Sequence, residues 1–336
     1  MPRLWRVFAS GLLFFLAFAT NGFAQAVNFD TYLRAAGAGA NSAGSGDFGR
    51  WKIGAYTIEA VNKKPYVSIN GTKIYTSTGL TCGKGKFFIQ KRDWEKNVAP
   101  IVAPQRRGVP GLRKIVIDAG HGGKDSGKVN SRGMQEKRYS LDVAQRLEKI
   151  LKARGFNVVM TRRTDVFIDL NRRPEIANEA WADLFVSVHF NAAESTSARG
   201  VETWLLTPVG QASFSNSSAK KDPDRGNAQD AWNLLAAYKI HSTLVKRIDA
   251  EDRGLKRANF AVLRTLKCPG ILVECGFFTN ASEAALIATA ARREQIALGI
   301  ADGISAYSGV LAQLSPTRIP TRRTSPRAGR IKHSSL

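Results

Sequence analysis

Apolar and polar positions fall into two textures along the chain. Over residues 51–102 the apolar runs are short and strand-like. Runs at 52–58 and 66–69 are split by Asn62-Lys63-Lys64-Pro65 and followed by Asn70-Gly71, a dipeptide that favours a tight hairpin turn. From residue 113 the period changes. An apolar strand at 114–118 ends in a glycine-rich loop. Leu141, Ala144, Leu147, Ile150 and Leu151 then recur at helical spacing through 136–154, and Gly155 stops that helix. Further strands are expected at 156–160, 184–188, 201–206, 260–263 and 271–274. Further helices are expected at 174–181, 231–248 and 282–307. Such alternation predicts an α/β fold with a twisted, mainly parallel sheet flanked by helices, preceded by a small β-rich accessory domain.

The flanks differ from both. Arg3 and Arg6 precede 14 apolar residues at 7–20, and Ala24-Gln25-Ala26 has the small-residue spacing of a cleavage site, so residues 1–26 read as a secretory signal peptide. The apolar run is short of the roughly 20 residues a membrane span needs. Residues 27–50, with AAGAGANSAGSG at their centre, read as a flexible linker, and 104–112 (PQRRGVPGL) as a second one. The expected layout is therefore accessory domain 51–103, catalytic domain 113–310 and a basic tail 311–336. That tail has three Pro, six Arg or Lys and no acid.

Composition adds less than charge does. At 43% hydrophobic residues the chain can bury a core, which excludes wholesale disorder. Lys and Arg number 50 against 27 Asp and Glu, a net charge of +23, which calls for an anionic partner. Export turns that expectation from nucleic acid towards envelope polymers. The three cysteines, Cys82, Cys268 and Cys275, form no C-x-x-C pair, so a thiolate zinc knuckle is excluded, and the two that flank Ile271-Leu272-Val273 read as buried small residues.

Chemistry concentrates at two of the four histidines. His121 follows an apolar strand and precedes Gly122-Gly123, and His189 follows another strand and precedes Phe190-Asn191-Ala192. Sites in open α/β sheets form beyond the carboxyl ends of strands, where both imidazoles would converge. Two neutral imidazoles and a carboxylate, with one position left open, suit zinc. Candidate carboxylates are Asp118, Asp125, Glu136, Glu202 and Glu274. Glu136 opens a helix, a place where an acid also serves the macrodipole. Glu274 ends the apolar strand ILVE beside Cys275-Gly276, so a solvated face is a poor account of it, and it is the better candidate for a general base.

The segments IVIDAGHGGKDSG, QEK, LFVSVHFNA, GVETWLL and ILVECGFFTN together resemble the zinc-dependent N-acetylmuramoyl-L-alanine amidases of the amidase type 3 family, over residues 113–308. The resemblance implies that His121, Glu136 and His189 hold one zinc ion and that Glu274 is the catalytic acid/base. It places Glu202 at a family position, in contact with substrate or supporting the sheet. Asn191 would orient His189 or bind the substrate carbonyl, and Arg173 and Asn178 would contact substrate or brace the site. The implied reaction is hydrolysis of the amide between the lactyl group of N-acetylmuramic acid and the first L-alanine of a peptidoglycan stem.

A peptidase acting on the same stems shares this metal logic, and a silent wall-binding protein is the reading from another class. The expected partner is peptidoglycan. Specific nucleic-acid binding and a transmembrane segment in the mature chain are not expected, a monomer is, and a protein activator is left open. The expected place is the periplasm or cell envelope, or outside the cell. Some amidases of this family carry an inhibitory helix before the helix at 231–248. Here the interval 208–230 is polar and reads as a surface loop. Residues 85–94 resemble the small β-rich domains that precede some exported amidases. The charge divides unevenly: +8 on residues 27–112, +7 on the longer 113–310, and +6 on the tail. Accessory retention on an anionic envelope accounts for that distribution.

Overall fold

Strands with no charge on either face need cover on both sides, and helices supply it here. The computed structural model describes residues 26–37, 42–214 and 216–315. The amino-terminal region contains β1 (Ala26–Asn28), α1 (Phe29–Ala35), β2 (Ser42–Ser45), β3 (Phe48–Ile53), β4 (Tyr56–Val61), β5 (Tyr66–Ile69), β6 (Thr72–Tyr75), β7 (Thr81–Gly83) and β8 (Lys86–Gln90). Short helical turns over 91–102 follow. The α/β region then runs β9 (Lys114–Ala119), α2 (Glu136–Ala153), β10 (Asn157–Met160), α3 (Arg172–Glu179), β11 (Leu184–Asn191) and β12 (Val201–Leu206). It continues with a hairpin of β13 (Ala212–Ser213) and β14 (Asn216–Ala219), then α4 (Asp230–Ile248), β15 (Asp252–Ala258), α5 (Ala261–Arg264), β16 (Gly270–Phe277), α6 (Ala281–Ala288) and α7 (Ala290–Leu314).

The expected mainly parallel sheet is present. Its order is β10-β9-β11-β16-β12-β15, with β12 antiparallel to β16 and the other neighbours parallel. Alternate residues of each strand serve opposite layers. Ile115 and Ile117 of β9, with Leu184, Val186 and Val188 of β11, pack under α2, in one core shared with α4 and α7. Val116 and Phe185 point the other way, into a second core with Ala177 of α3 and Val262 and Leu263 of α5. Complete burial of an aliphatic side chain of this kind contributes about 1.5–3 kcal/mol.

The sheet does not stop at β15. The β6 strand pairs parallel to it at Leu255↔Ile74, and β5, β4, β3 and β2 follow antiparallel, so eleven described strands form one sheet. Asn70 and Gly71, with φ of 47° and 84°, make the expected β5–β6 turn. Gly254 makes the β15–β6 junction possible. Its φ is +84°, and a Cβ there would lie 2.7 Å from the Lys73 carbonyl oxygen.

Several expectations need correction. The run at 52–58 is two strands, because Gly54 turns the chain between β3 and β4. Residues 260–263, expected as a strand, instead cap and begin α5, with Phe260 as its N-cap, and the strand is the charged segment β15 just before them. The interval 27–50, expected as a flexible linker, holds α1, whose Phe29 and Leu33 are buried, with Phe29 packed on Trp51 of β3 and Trp94 of the turns over 91–102. Residues 38–41 of that interval lie outside the described residues. Residues 104–112 hold no helix or strand. Helix α7 runs to Leu314 with Leu311 and Leu314 buried, so the beginning of the expected tail is packed. Residues 1–25 of the expected signal peptide and 316–336 of the tail lie outside the described residues. All three cysteines are free, and Cys268 and Cys275 are buried.

Candidate metal centre

Strand β9 delivers the chain into the loop Gly120-His121-Gly122-Gly123 at its carboxyl end. His121 has φ +59°, a left-handed conformation that costs a residue with a side chain and persists only where the surroundings impose it. Two buried arginines impose it. Arg173 of α3 donates to Asp118 Oδ1 (2.8 Å) and to the carbonyls of Ala119 (2.9 Å) and His121 (2.9 Å). Arg162 donates to the carbonyls of Ala119 (2.9 Å) and Gly120 (2.7 Å). Asp118 also accepts from Thr161 and Ser187. Burial works against its charge, but Arg173 and these hydroxyls outweigh it and hold the carboxyl below the usual aspartate range. Arg173 is thus placed beneath the loop, and Asn178 ties α3 to the 265–267 segment through the Thr265 carbonyl and the Lys267 amide.

Glu136, first residue of α2, reaches between the two histidines. Its Oε2 is 3.0 Å from His121 Nε2, and its Oε1 is 2.9 Å from His189 Nδ1. The same carboxylate accepts from the amides of Lys128 (3.0 Å) and Phe190 (3.0 Å). The imidazole rings are 4.9 Å apart at 78°. Burial opposes ionisation of Glu136, yet both histidines overcome it and drive the carboxyl far below the usual glutamate range. His121 Nδ1 meets Asp125 Oδ2 at 2.8 Å, which fixes the ring and leaves Nε2 as the inward donor. Burial would lower the pKa of His121, but Glu136 and Asp125 raise it.

Two glycines allow this crowding. A Cβ on Gly120 would lie 2.3 Å from the His189 ring, and one on Gly127 would lie 2.6 Å from both Glu136 Oε2 and His121 Cδ2. The ligand atoms of His121, Glu136 and His189 lie within 4.8 Å of one another, and no other such cluster occurs among the described residues. Three donors with an open side could hold a metal ion, and this donor set fits one.

Glu274 belongs to the same place. His189, Glu274 and Glu202 form one register row across β11, β16 and β12. Glu274 Oε2 is buried and finds no hydrogen-bond donor. Burial raises the Glu274 pKa well above the usual glutamate value, and the charges of Glu136 and Glu202 add to the effect. Glu202 is almost fully buried and anchored by Lys256 Nζ (2.6 Å), Arg253 Nε (2.7 Å) and Asn191 Nδ2 (3.0 Å). Asn191 therefore braces Glu202, and its Oδ1 accepts from the Ala192 amide.

A cavity of about 340 Å³ opens over His121, Glu136, His189 and Glu274. Lys128, Leu170 and Phe260 stand at its mouth, exposed, and none of the three was singled out in the sequence. Phe260 reads only as the start of an expected strand, and nothing local joins it to Lys128 or Leu170. A larger hollow of about 580 Å³ between Lys96 and residues 223–230 contains no comparable donor cluster among the described residues. The interval 208–230 forms the β13–β14 hairpin and a 3-10 turn at Arg225–Gln229, and its Phe214 packs on Tyr75 and Trp204.

The N-acetylmuramoyl-L-alanine amidase family profile (Amidase_3) matches residues 115–306, which contain His121, Glu136, His189, Glu202 and Glu274. The chain belongs to this amidase family. It is 33% identical over 258 residues to the N-acetylmuramoyl-L-alanine amidase LytC of Bacillus subtilis (strain 168), covering 76% of this chain and 48% of LytC. It is 32% identical over 228 residues to AmiA of Escherichia coli (strain K12), covering 61% of this chain and 79% of AmiA. The chain thus spans about half the length of LytC and most of AmiA. The crystal structure of an N-acetylmuramoyl-L-alanine amidase from Clostridium difficile 630 superposes with a TM-score of 0.50 and 34% identity, over 59% of this chain and 97% of that one. The amidase fold accounts for the α/β region. No helix among the described residues is long and apolar enough to cross a membrane.

Proposed function

We propose that the chain is an exported, zinc-dependent hydrolase of peptidoglycan that cleaves the amide joining the lactyl group of N-acetylmuramic acid to L-alanine of the stem peptide. The observation that carries this reading is the His121–Glu136–His189 cluster with the unpartnered Glu274 carboxyl in the same register row, on a chain of the amidase family. His121, Glu136 and His189 would hold the ion, which supplies Lewis acidity at the scissile carbonyl when bound.

The chain's own groups do the rest. Glu274 accepts a proton from the water that attacks the lactyl carbonyl carbon. As the C–O bond forms and the C–N bond breaks, that proton passes to the departing L-alanine nitrogen, leaving a free lactyl carboxylate and a free amine. Asp125 keeps His121 in one tautomer and orientation, and Arg173 and Arg162 keep the loop that carries it from relaxing. Leu170 and Phe260 give the substrate an apolar wall at the mouth, and Lys128 gives it a cation.

Export rests on Arg3, Arg6, the apolar run at 7–20 and the A-x-A at 24–26, and it places the enzyme in the periplasm or cell envelope. The surplus positive charge of residues 27–112 and 311–336 supports retention on an anionic envelope.

The test incubates the chain without residues 1–26 with purified peptidoglycan, with and without a chelator, and identifies products by mass. Expected are intact stem peptides beginning with L-alanine and glycans bearing free lactyl carboxylates, with release abolished by chelation and restored by zinc. Cleavage inside the stem, leaving L-alanine on the glycan, would make the chain a peptidase. No release at all would leave a wall-binding protein.

A further inference from the structure

Lys256 is 4% exposed, and a buried ammonium is tolerated only when it is paired and enclosed. Its partner is Glu202 Oε1, at 2.6 Å. Its enclosure is aromatic. The Phe214 ring centroid lies 4.7 Å from Nζ, and those of Trp204 and Tyr75 lie 5.4 Å away. Phe214 touches Tyr75 edge-on at 5.6 Å and Trp204 at 5.7 Å, so the three rings form a continuous box. Only Trp204 and Lys256 belong to the central strands. Tyr75 ends β6 of the amino-terminal region, and Phe214 comes from the β13–β14 hairpin.

What the box holds is next to the chemistry. Residues directly opposite on antiparallel strands project from the same face with Cβ atoms about 5 Å apart, and Glu202 is opposite Glu274. Arg253, the other cation on Glu202, lies over the Phe277 ring at 4.9 Å. Glu202 is thus held by two cations of β15, the strand on the edge of β12 opposite β16.

We propose that Tyr75 and Phe214 are positioning residues for the hydrolysis proposed above, because they box Lys256 against Glu202 and so fix the Glu202 carboxylate beside Glu274. On this account the amino-terminal β-region is a working part of the catalytic centre as well as a charged appendage. The inference rests on the amidase reading for its kinetic consequence, while the box itself is open to a separate test.

Replacing Tyr75 by Leu removes the ring's electrostatic attraction for the ammonium and keeps an apolar filler. In the full mature chain loaded with zinc and acting on a soluble muramoyl-peptide, Tyr75→Leu is expected to lower kcat about tenfold with KM within twofold, and Tyr75→Phe to restore kcat. Combined with Glu202→Gln, Tyr75→Leu is expected to add no further loss, because its effect travels through that carboxylate. Independently, acetic anhydride followed by peptide mass analysis is expected to leave Lys256 unmodified in the unsubstituted chain and to acetylate it in Tyr75→Leu. Phe214→Leu, at a ring exposed to solvent, provides the same measurements should Tyr75→Leu fail to fold. The proposal is overturned if the loss appears in KM alone, if it persists at full size in the Glu202→Gln background, or if Lys256 stays unreactive in both variants. If the unsubstituted chain releases no stem peptide, the amidase reading fails on its own, while Lys256 acetylation still decides whether the rings enclose the ammonium.

Discussion

His189 and Glu274 are register partners on adjacent parallel strands, with the bulge that shifts β11 against β16 lying immediately beyond them. A histidine of the candidate metal cluster and the carboxylate proposed as proton acceptor are thus placed by one backbone pairing, without a flexible loop between them. Glu274→Gln keeps size and strand pairing but removes the proton acceptor. Turnover of peptidoglycan is expected to fall on the order of 10²- to 10⁴-fold, with zinc content per chain and thermal midpoint unchanged. Wild-type release of stem peptides by that variant would remove Glu274 from the mechanism.

A Cβ on Gly127, at φ +62°, would press on both Glu136 and His121. In Gly127→Ala the new methyl has nowhere to go, since one neighbour is the carboxylate that separates the two imidazoles. Zinc affinity measured by competition with a chromophoric chelator is expected to fall about 10–100-fold, a loss typical when the support of a ligand is disturbed. Activity at saturating zinc should recover in part. Affinity equal to that of the unsubstituted chain would mean the loop relaxes freely.

The site was more legible in the sequence than the frame around it, and the reason is charge pairing. Strands β9, β11, β12 and β16 show as apolar runs, and His121, Glu136, His189 and Glu274 stand where such runs end or helices begin. Strand β15 reads DRGLKRA and offers no apolar period. Each of its charged groups finds a partner: Asp252 meets His241, Arg253 and Lys256 share Glu202, and Arg257 donates to the carbonyls of Leu206 and Lys96. Such pairing exists only after folding, so single-residue hydropathy misses it. The same omission hid the union of the amino-terminal strands with the main sheet, which runs through β15. Helix α1 was missed because a glycine- and alanine-rich stretch follows directly on Phe29 and Leu33, its only two buried residues.

Asp252 is the clasp of that union. It accepts from His241 Nε2 (2.8 Å), the Lys73 amide (2.7 Å) and the Gly254 amide (2.7 Å). Burial would raise its pKa, but His241 and these amides hold it below the usual aspartate value. A carboxyl depressed in the folded state adds stability that is fully present above its unfolded pKa of about 3.9. That stability is lost as pH falls through the lower folded value. Asp252→Asn is therefore expected to be less stable by about 2 kcal/mol at pH 7, and the gap should narrow steadily below pH 4. Denaturant unfolding at pH 7 and pH 3 checks it. An equal gap at both values would show that the charge of Asp252 adds nothing.

Arg173 and Asp118 form a buried ion pair at 2.8 Å, both side chains essentially sealed from water. Replacing such a pair by apolar groups can be nearly neutral, but removing one partner strands the other. Arg173→Met leaves Asp118 with hydroxyl donors only and frees the His121 carbonyl, while the Ala119 carbonyl keeps Arg162 as a donor. The expected loss is about 3–5 kcal/mol in denaturant unfolding. The double variant Arg173→Met, Asp118→Leu should regain a large part of it by removing the stranded charge. Because Arg173 also pins His121 in its left-handed conformation, the two variants should separate in a second measurement. Stability returns in the double variant, whereas zinc affinity stays low, since neither methionine nor leucine can donate to the His121 carbonyl. Recovery of zinc affinity together with stability would show that the loop holds its conformation without Arg173, leaving the arginine a role in stability alone.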